Sequence, residues 1–261
     1  QLTSNTNKVN CTVTSVNGKK TEKELNFIPN TLKADVSVTS SDTTFLGGSL
    51  KRNKVKGIHI VNHKNIPSDA TSWDVSHHQN GSVMAWYGAP DSNGLYDVYI
   101  GQNGGVVARS GDYLFSYFNH ATTVHVQKLD TSRVSSMLLM FYDSQAPILD
   151  LSNFDTSKVT TMYGMFSNAK ARTLNLSNFD TSKVTNMAHM FNGSEATTLN
   201  LSNFDTSKVT TMYAMFHQSQ AQTLNLSNFD TSNVTNMERM FFNSKATTID
   251  VSNFDTSKVT T

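Results

Sequence analysis

Three sets of residues in this chain could do chemistry: eight histidines, an aspartate that recurs every 25 residues, and a large pool of serines. A hydrolytic triad would need a nucleophile presented in a recognisable setting. The chain has no Gly-x-Ser-x-Gly elbow, no His-Glu-x-x-His, no glycine-rich phosphate loop ahead of a helix and no paired carboxylates in an unusual context. The residues therefore point away from an enzyme, with no catalytic residue and no cofactor to assign. The aspartates Asp155, Asp180, Asp205, Asp230 and Asp255 could hold calcium or cap helices. Capping is the expectation, because the glycine-rich pattern of calcium-binding β-helices is missing and Lys158, Lys183, Lys208 and Lys258 stand nearby. In Asp180-Thr-Ser182 either end could be the cap.

Six of the histidines, His59, His63, His77, His78, His120 and His125, lie in the N-terminal half. A metal held by His77 and His78 is disfavoured, since adjacent residues on a strand point to opposite sides. Their other use is as a pH response. Protonating all eight through an ordinary pKa of about 6.5 carries the formal charge from +1 towards +9, before carboxylates protonate near about 4. Acidification would then favour contact with sulfated or sialylated glycans, or self-association.

The elements that must carry these residues are set by a repeat. Leu149 to Val159, Leu174 to Val184, Leu199 to Val209, Leu224 to Val234 and Ile249 to Val259 align without slippage, and Val124 to Val134 is an earlier copy with Leu129 in place of Phe. A fixed period of this length is the property of stacked coils. In Leu174-Asn-Leu176 the alternation turns both leucines to a core and Asn175 outward, which predicts a short strand paired in parallel with its neighbours. Val184, Met187, Met190 and Phe191 are spaced three, three and one apart, which predicts a short helix with one buried face. A Met-rich cofactor or metal box is the lesser reading of that stripe. The expected fold is an α/β repeat solenoid, leucine-rich-repeat-like, with one short parallel strand and one short helix per 25-residue coil and a β-rich N-terminal capping domain. One coil buries too little apolar surface to offset its own ordering entropy, so coils must stack and their ends must be sealed.

Composition sets outer limits. Hydrophobic residues make up 37% of the 261, enough for a core, and the charge of +1 includes no run of Lys or Arg that could follow a phosphate backbone. Nucleic acid is a poor partner on that ground. The apolar runs, such as Met137 to Tyr142, fall far short of the ~20 residues that cross a bilayer, so no membrane insertion is expected of this stretch. Cys11 is the single cysteine, which excludes an intramolecular disulfide and a cysteine-based zinc site.

Residues 1–50 read as a β-rich N-terminal cap, with Thr- and Val-rich segments such as Cys11 to Val16 and Ala34 to Val38 between Asn-Gly and Pro-Asn turns. Residues 51–123 read as an aromatic-rich transition with degenerate first coils, carrying Ser72-Trp-Asp-Val-Ser76, Gly81-Ser-Val-Met-Ala-Trp-Tyr87, Tyr96-Asp-Val-Tyr-Ile-Gly101 and a degenerate helix at Tyr113 to Phe118. Residues 124–261 are the regular repeats, truncated in the last copy.

On the Ser-Asn-Phe-Asp-Thr-Ser-x-Val-Thr-x-Met-x-x-Met-Phe unit and the three aromatic blocks, residues from about 50 to 261 resemble the BspA-type leucine-rich-repeat surface proteins of lactobacilli and related Gram-positive bacteria, whose repeats also occur in mycoplasma lipoproteins. The resemblance implies a secreted protein attached to the bacterial cell wall, its signal peptide and anchor lying outside this chain. It also implies an adhesin for host mucus, epithelial or extracellular-matrix ligands, glycan or protein. The alternatives are a structural stalk displaying another domain and a self-association or biofilm module. One departure from the leucine-rich consensus is that Phe179 stands where an inward Asn is expected, with Asn178 one place earlier.

Positions that differ between otherwise similar coils are those the fold leaves free. They fall between the methionines and in the four residues after Phe, where Tyr163, His189, Tyr213, His217, Arg239 and Phe242 are suited to contact a partner. A second candidate surface is the strand-face column Asn175, Asn200, Asn225 and Asp250. Trp73, Trp86, Tyr87, Tyr96 and Tyr99 could stack on sugars, although burial in the cap is the commoner use of such rings.

Overall fold

A computed structural model describes residues 8–26, 30–35 and 38–261, and among these the chain is almost all β. Strands β1 (Lys8–Thr14) and β2 (Lys20–Asn26) form an antiparallel hairpin, which contains the backbone of Cys11. The Cys11 side chain and residues 36–37 of the Ala34 to Val38 segment lie outside what is described. A mixed five-stranded sheet follows, in the order β4-β5-β6-β3-β8, from β3 (Val55–Val61), β4 (Thr71–Asp74), β5 (Met84–Tyr87), β6 (Tyr96–Gly101) and β8 (Thr123–His125). Here β3 runs parallel to both β6 and β8, while β4, β5 and β6 are antiparallel neighbours. The remaining strands form separate parallel pairs: β7 (Val106–Val107) with β9 (Leu129–Asp130), β10 (Thr173–Leu174) with β11 (Thr198–Leu199), and β12 (Thr223–Asn225) with β13 (Thr248–Asp250).

The repeats lie on one another in register. Thr173 pairs with Thr198 and Leu224 with Ile249, and single bridges run Ser136 to Thr161 to Asn186 to Thr211 to Asn236. The apolar positions of each coil meet in one core: Leu174, Leu176, Phe179, Val184, Met187, Met190 and Phe191 are all buried, while Asn175 is exposed. Phe141, Phe166, Phe191 and Phe216 stack in sequence with centroids 5.6–5.8 Å apart and planes within 10°.

The expected α/β solenoid with a helix in each coil does not form. The described residues contain no α-helix, only a 3₁₀ turn at Arg52–Lys54, and the strands divide into a mixed sheet and short pairs rather than closing one continuous parallel sheet. The Met-x-x-Met-Phe segment is a run of turns with a physical reason for refusing a helix. The N–H groups of Met187, His189, Phe191 and Gly193 donate to Thr211, Tyr213, Met215 and His217 of the next coil, while those of Met190, Asn192 and Ser194 bond back three residues. Every second donor is thus spent along the stack, and the i−4 bonds of an α-helix have none left. The geometry requires left-handed residues at His189 (φ 59°) and Gly193 (φ 63°), and the same two places recur as Gly164 and Asn168, Ala214 and Gln218, and Arg239 and Asn243. Left-handed backbone cannot sit inside a right-handed helix. Tyr113 to Phe118, the expected degenerate helix, is built in the same way, with Tyr113 and Tyr117 left-handed and Phe115 stacked on Phe141.

With no helix to cap, the Asp-Thr-Ser triplet has other work. Asp180 Oδ1 accepts from the Ser182 N–H at 2.9 Å and closes a local turn. Thr181 is buried and binds the next coil, donating from Oγ1 to the Asp205 carbonyl at 2.9 Å and accepting the Asp205 N–H at 2.8 Å. Asn178 faces the preceding coil, its Nδ2 donating to the carbonyls of Leu151 at 3.1 Å and Phe154 at 2.8 Å, and Asn153, Asn203 and Asn228 repeat the pattern. The inward Asn expected at position 179 is supplied one residue earlier, and Phe179 fills the core beside it.

Ahead of the repeats, Arg52 is fully buried, paired with Asp35 and bonded from Nη1 to the Ser116 carbonyl at 2.6 Å. Its guanidinium lies over the rings of Phe118 and Phe45, and burial lowers its pKa to about 10.

Candidate functional site

The stack puts each variable position beside its counterpart in the next coil, so the variable residues form rows. Two rows line an open groove of about 950 Å³: Asn168, Gly193, Gln218 and Asn243 in one, Lys170, Glu195, Gln220 and Lys245 in the other, with Arg172, Thr197 and Ser244 completing the lining. The first row takes its shape from the left-handed turn of each coil. Gly193 leaves room for the neighbouring amide, since a Cβ there would stand 2.2 Å from Asn168 Oδ1 and displace it. Lys170 Nζ bonds Glu195 Oε1 at 2.6 Å across adjacent coils. The lining is amide-rich with mixed charge, which equips it to exchange hydrogen bonds with a polar, extended ligand.

The six contact residues expected from the sequence lie outside this groove and divide into three places. His189 sits between Tyr163 and Tyr213, with centroids 5.3 and 4.9 Å away, in the space left where Ala188 interrupts the tyrosine row. Asn192 links it to the next row, its Nδ2 meeting His189 Nδ1 at 2.9 Å and its Oδ1 meeting His217 Nδ1 at 3.0 Å. Burial lowers the His189 pKa below the ordinary value and His217 lowers it further; burial likewise raises the Tyr163 phenol. His217 stacks on the exposed Phe242 ring at 5.5 Å. Arg239 is exposed beside Glu238 at 3.3 Å.

The strand-face column is partly committed to its own backbone. Asn175 Oδ1 accepts from both the N–H and the hydroxyl of Ser177, and Asn200 and Asn225 repeat this with Ser202 and Ser227. Among the aromatic candidates, Trp86 is buried, stacked on Tyr99, and Trp73 donates from Nε1 to the Leu46 carbonyl at 3.2 Å. Tyr87 packs against both Trp73 and Tyr96.

The N-terminal histidines do not act as one cluster. His59 and His125 meet on neighbouring strands. His63 lies 6.2 Å from the Trp86 ring, His120 is exposed, and His77 and His78 occupy a turn with their rings 4.9 Å apart rather than opposite faces of a strand. Sequence reasoning missed Gly57 and Asp97, which complete the surroundings of His59, and Arg172 and Thr197 of the groove, whereas its other lining residues fall among the four variable positions after each Phe. For the groove, the recurrence of Asp143, Asn168, Gly193 and Asn243 in one column was the available signal, since Asn, Asp and Gly tolerate left-handed backbone.

Comparison with known proteins yields one family. The family described as Mycoplasma protein of unknown function, DUF285, matches residues 112–222 and again residues 170–261. The chain belongs to this family. The two matches together span more than half of its length and include every residue of the groove. No curated protein and no solved structure matches the chain.

Proposed function

We propose that this chain is the ligand-presenting part of a bacterial cell-surface adhesin of the BspA-like type, acting by binding rather than by catalysis. The observation that carries this reading is the groove: its walls are formed mainly by the positions at which otherwise near-identical coils differ. Positions required for stacking, such as Asn178, Thr181 and Phe191, recur from coil to coil, whereas Lys170, Glu195, Gln220 and Lys245 do not. A fold that freed these side chains from packing left them available for recognition. The mixed amide and charged lining suits a polar glycan or an extended protein segment of host mucus, epithelium or matrix.

The test is binding of the whole chain to immobilised mucin, matrix proteins and epithelial cells, beside a variant carrying Lys170→Ala, Gln218→Ala and Gln220→Ala. Saturable binding that falls at least tenfold in the variant is expected. Absence of binding to every surface favours a stalk, and undiminished binding by the variant moves recognition away from the groove.

A further inference from the structure

His59 and His125 stand opposite each other on the parallel strands β3 and β8, and their Nδ1 atoms are 3.1 Å apart. The other nitrogen of His59, Nε2, lies 3.1 Å from Asp97 Oδ1 on β6. This contact is built into the sheet. Gly57 is buried beneath it, and a Cβ at that position would stand 2.1 Å from Asp97 Oδ1 and 2.9 Å from His59 Nε2. Bare backbone at residue 57 is what allows the carboxylate to reach the ring. Tyr99 covers the imidazole at 4.8 Å with planes 21° apart, and Lys56 holds Asp97 Oδ2 at 3.5 Å and Asp91 Oδ2 at 3.3 Å.

This arrangement fixes which nitrogen of His59 is free. A carboxylate accepts only, so Nε2 carries the hydrogen and Nδ1 presents its lone pair towards His125. When His125 carries its hydrogen on Nδ1 the two rings share one N–H···N bond. When it carries the hydrogen on Nε2, two lone pairs converge on one gap at the edge of the sheet, where His125 is exposed.

We propose that His59 and His125 chelate a divalent transition cation of the zinc class between their Nδ1 atoms, with Asp97 orienting His59 from behind and water completing the coordination. At metal–nitrogen distances of about 2.0–2.1 Å, donors 3.1 Å apart subtend roughly 100°, close to a tetrahedral angle. A carboxylate behind a ligating histidine is the usual outer-shell partner of such a ligand. Among the described residues no group of three or more His, Cys, Asp and Glu side chains converges, so the site is a two-donor chelate with open positions. The cation would clasp β3 to β8, the edge strand of its sheet.

The test is calorimetric titration of the whole chain with zinc chloride near pH 7.5, alongside variants. One saturable site is expected, abolished by His59→Gln and by His125→Gln, and unchanged by the double replacement His77→Gln and His78→Gln. Gly57→Ala keeps both imidazoles but displaces Asp97, and should weaken binding at least about tenfold. Lowering the pH to about 5.5 should weaken it comparably, because protons compete for the same lone pairs. Circular dichroism of each metal-free variant establishes that it is folded. No saturable heat up to about 1 mM zinc, or binding that survives in folded His125→Gln, overturns the proposal.

Discussion

Removing one ring from the phenylalanine column should cost an amount that depends on how many rings flank it. Phe191 is fully buried between Phe166, at 5.8 Å and 10°, and Phe216, at 5.6 Å and 7°. Phe241 is only partly buried and touches Phe216 at 5.9 Å and 3°. A Phe→Ala change in a core costs about 3–5 kcal/mol, and each stacked ring pair is worth about 0.5–1.5 kcal/mol beyond its area. Phe191→Ala, which empties a sealed site and loses two ring contacts, belongs near the top of that range, at about 5 kcal/mol. Phe241→Ala, at a partly open site with one ring contact, should cost about 2 kcal/mol. At roughly 2–4 °C per kcal/mol for a chain of this size, the midpoints should fall by about 10–20 °C and about 4–8 °C. Thermal and urea unfolding followed by far-ultraviolet circular dichroism reads both. Phe166→Ala combined with Phe191→Ala should be non-additive by about 1 kcal/mol, and Phe141→Ala with Phe216→Ala, which share no ring contact, should add. Equal losses at Phe191 and Phe241, or additivity of the neighbouring pair, would show that the rings merely fill space and do not couple adjacent coils.

Thr181→Val keeps the shape of the side chain but orphans both the N–H and the carbonyl of Asp205; a loss of about 2 kcal/mol in urea unfolding is expected, against almost none for an exposed threonine such as Thr198. Asp35→Ala leaves Arg52 buried without its carboxylate and should destabilise by about 3–5 kcal/mol, a change that melting of the variant would register. The His189 imidazole should titrate below about 6.5 when its ring protons are followed by NMR, and Tyr163→Ala, by opening its cover, should move that value upward. Because its folded pKa is depressed, His189 contributes stability that is present above its unfolded pKa and is lost as pH falls through the folded one, so mild acid should loosen this part of the stack. The carboxyls of Asp155, Asp180, Asp205 and Asp230 are all held below their ordinary range, first by the hydroxyl and then by the N–H of the serine two residues on. Their contribution should persist above the ordinary carboxylate pKa of about 3.9 and disappear in stronger acid, and Asp180→Asn, which retains the acceptor, should flatten that acid limb.

The parts of this fold that were legible in the sequence are those where one residue's environment repeats every 25 positions. Register, buried faces and stacking follow from it, since identical side chains can be buried identically only if equivalent residues lie above one another. The helix was misread because Val184, Met187, Met190 and Phe191 satisfy two geometries at once. A right-handed helix brings spacings of three and three to one face, and so does a run of turns whose alternate N–H groups point along the stack. Apolar spacing reports burial and is silent about which acceptor each N–H finds. The residues that exclude the helix are the left-handed Leu139, Gly164, His189, Ala214 and Arg239 inside each segment, and four of these five are types that do not announce left-handed backbone.

The pairing of His59 with His125 was beyond any such reading. Their 66-residue separation takes in β4, β5 and β6, three strands of the same sheet, and their meeting depends on β3 taking parallel partners on both sides. No period relates them, and Asp97 and Gly57, which complete the site, belong to strands whose order in the sheet is not their order in the chain. Periodic contacts can be read locally because every coil states them again; a site assembled once, across a mixed sheet, is stated nowhere but in the fold.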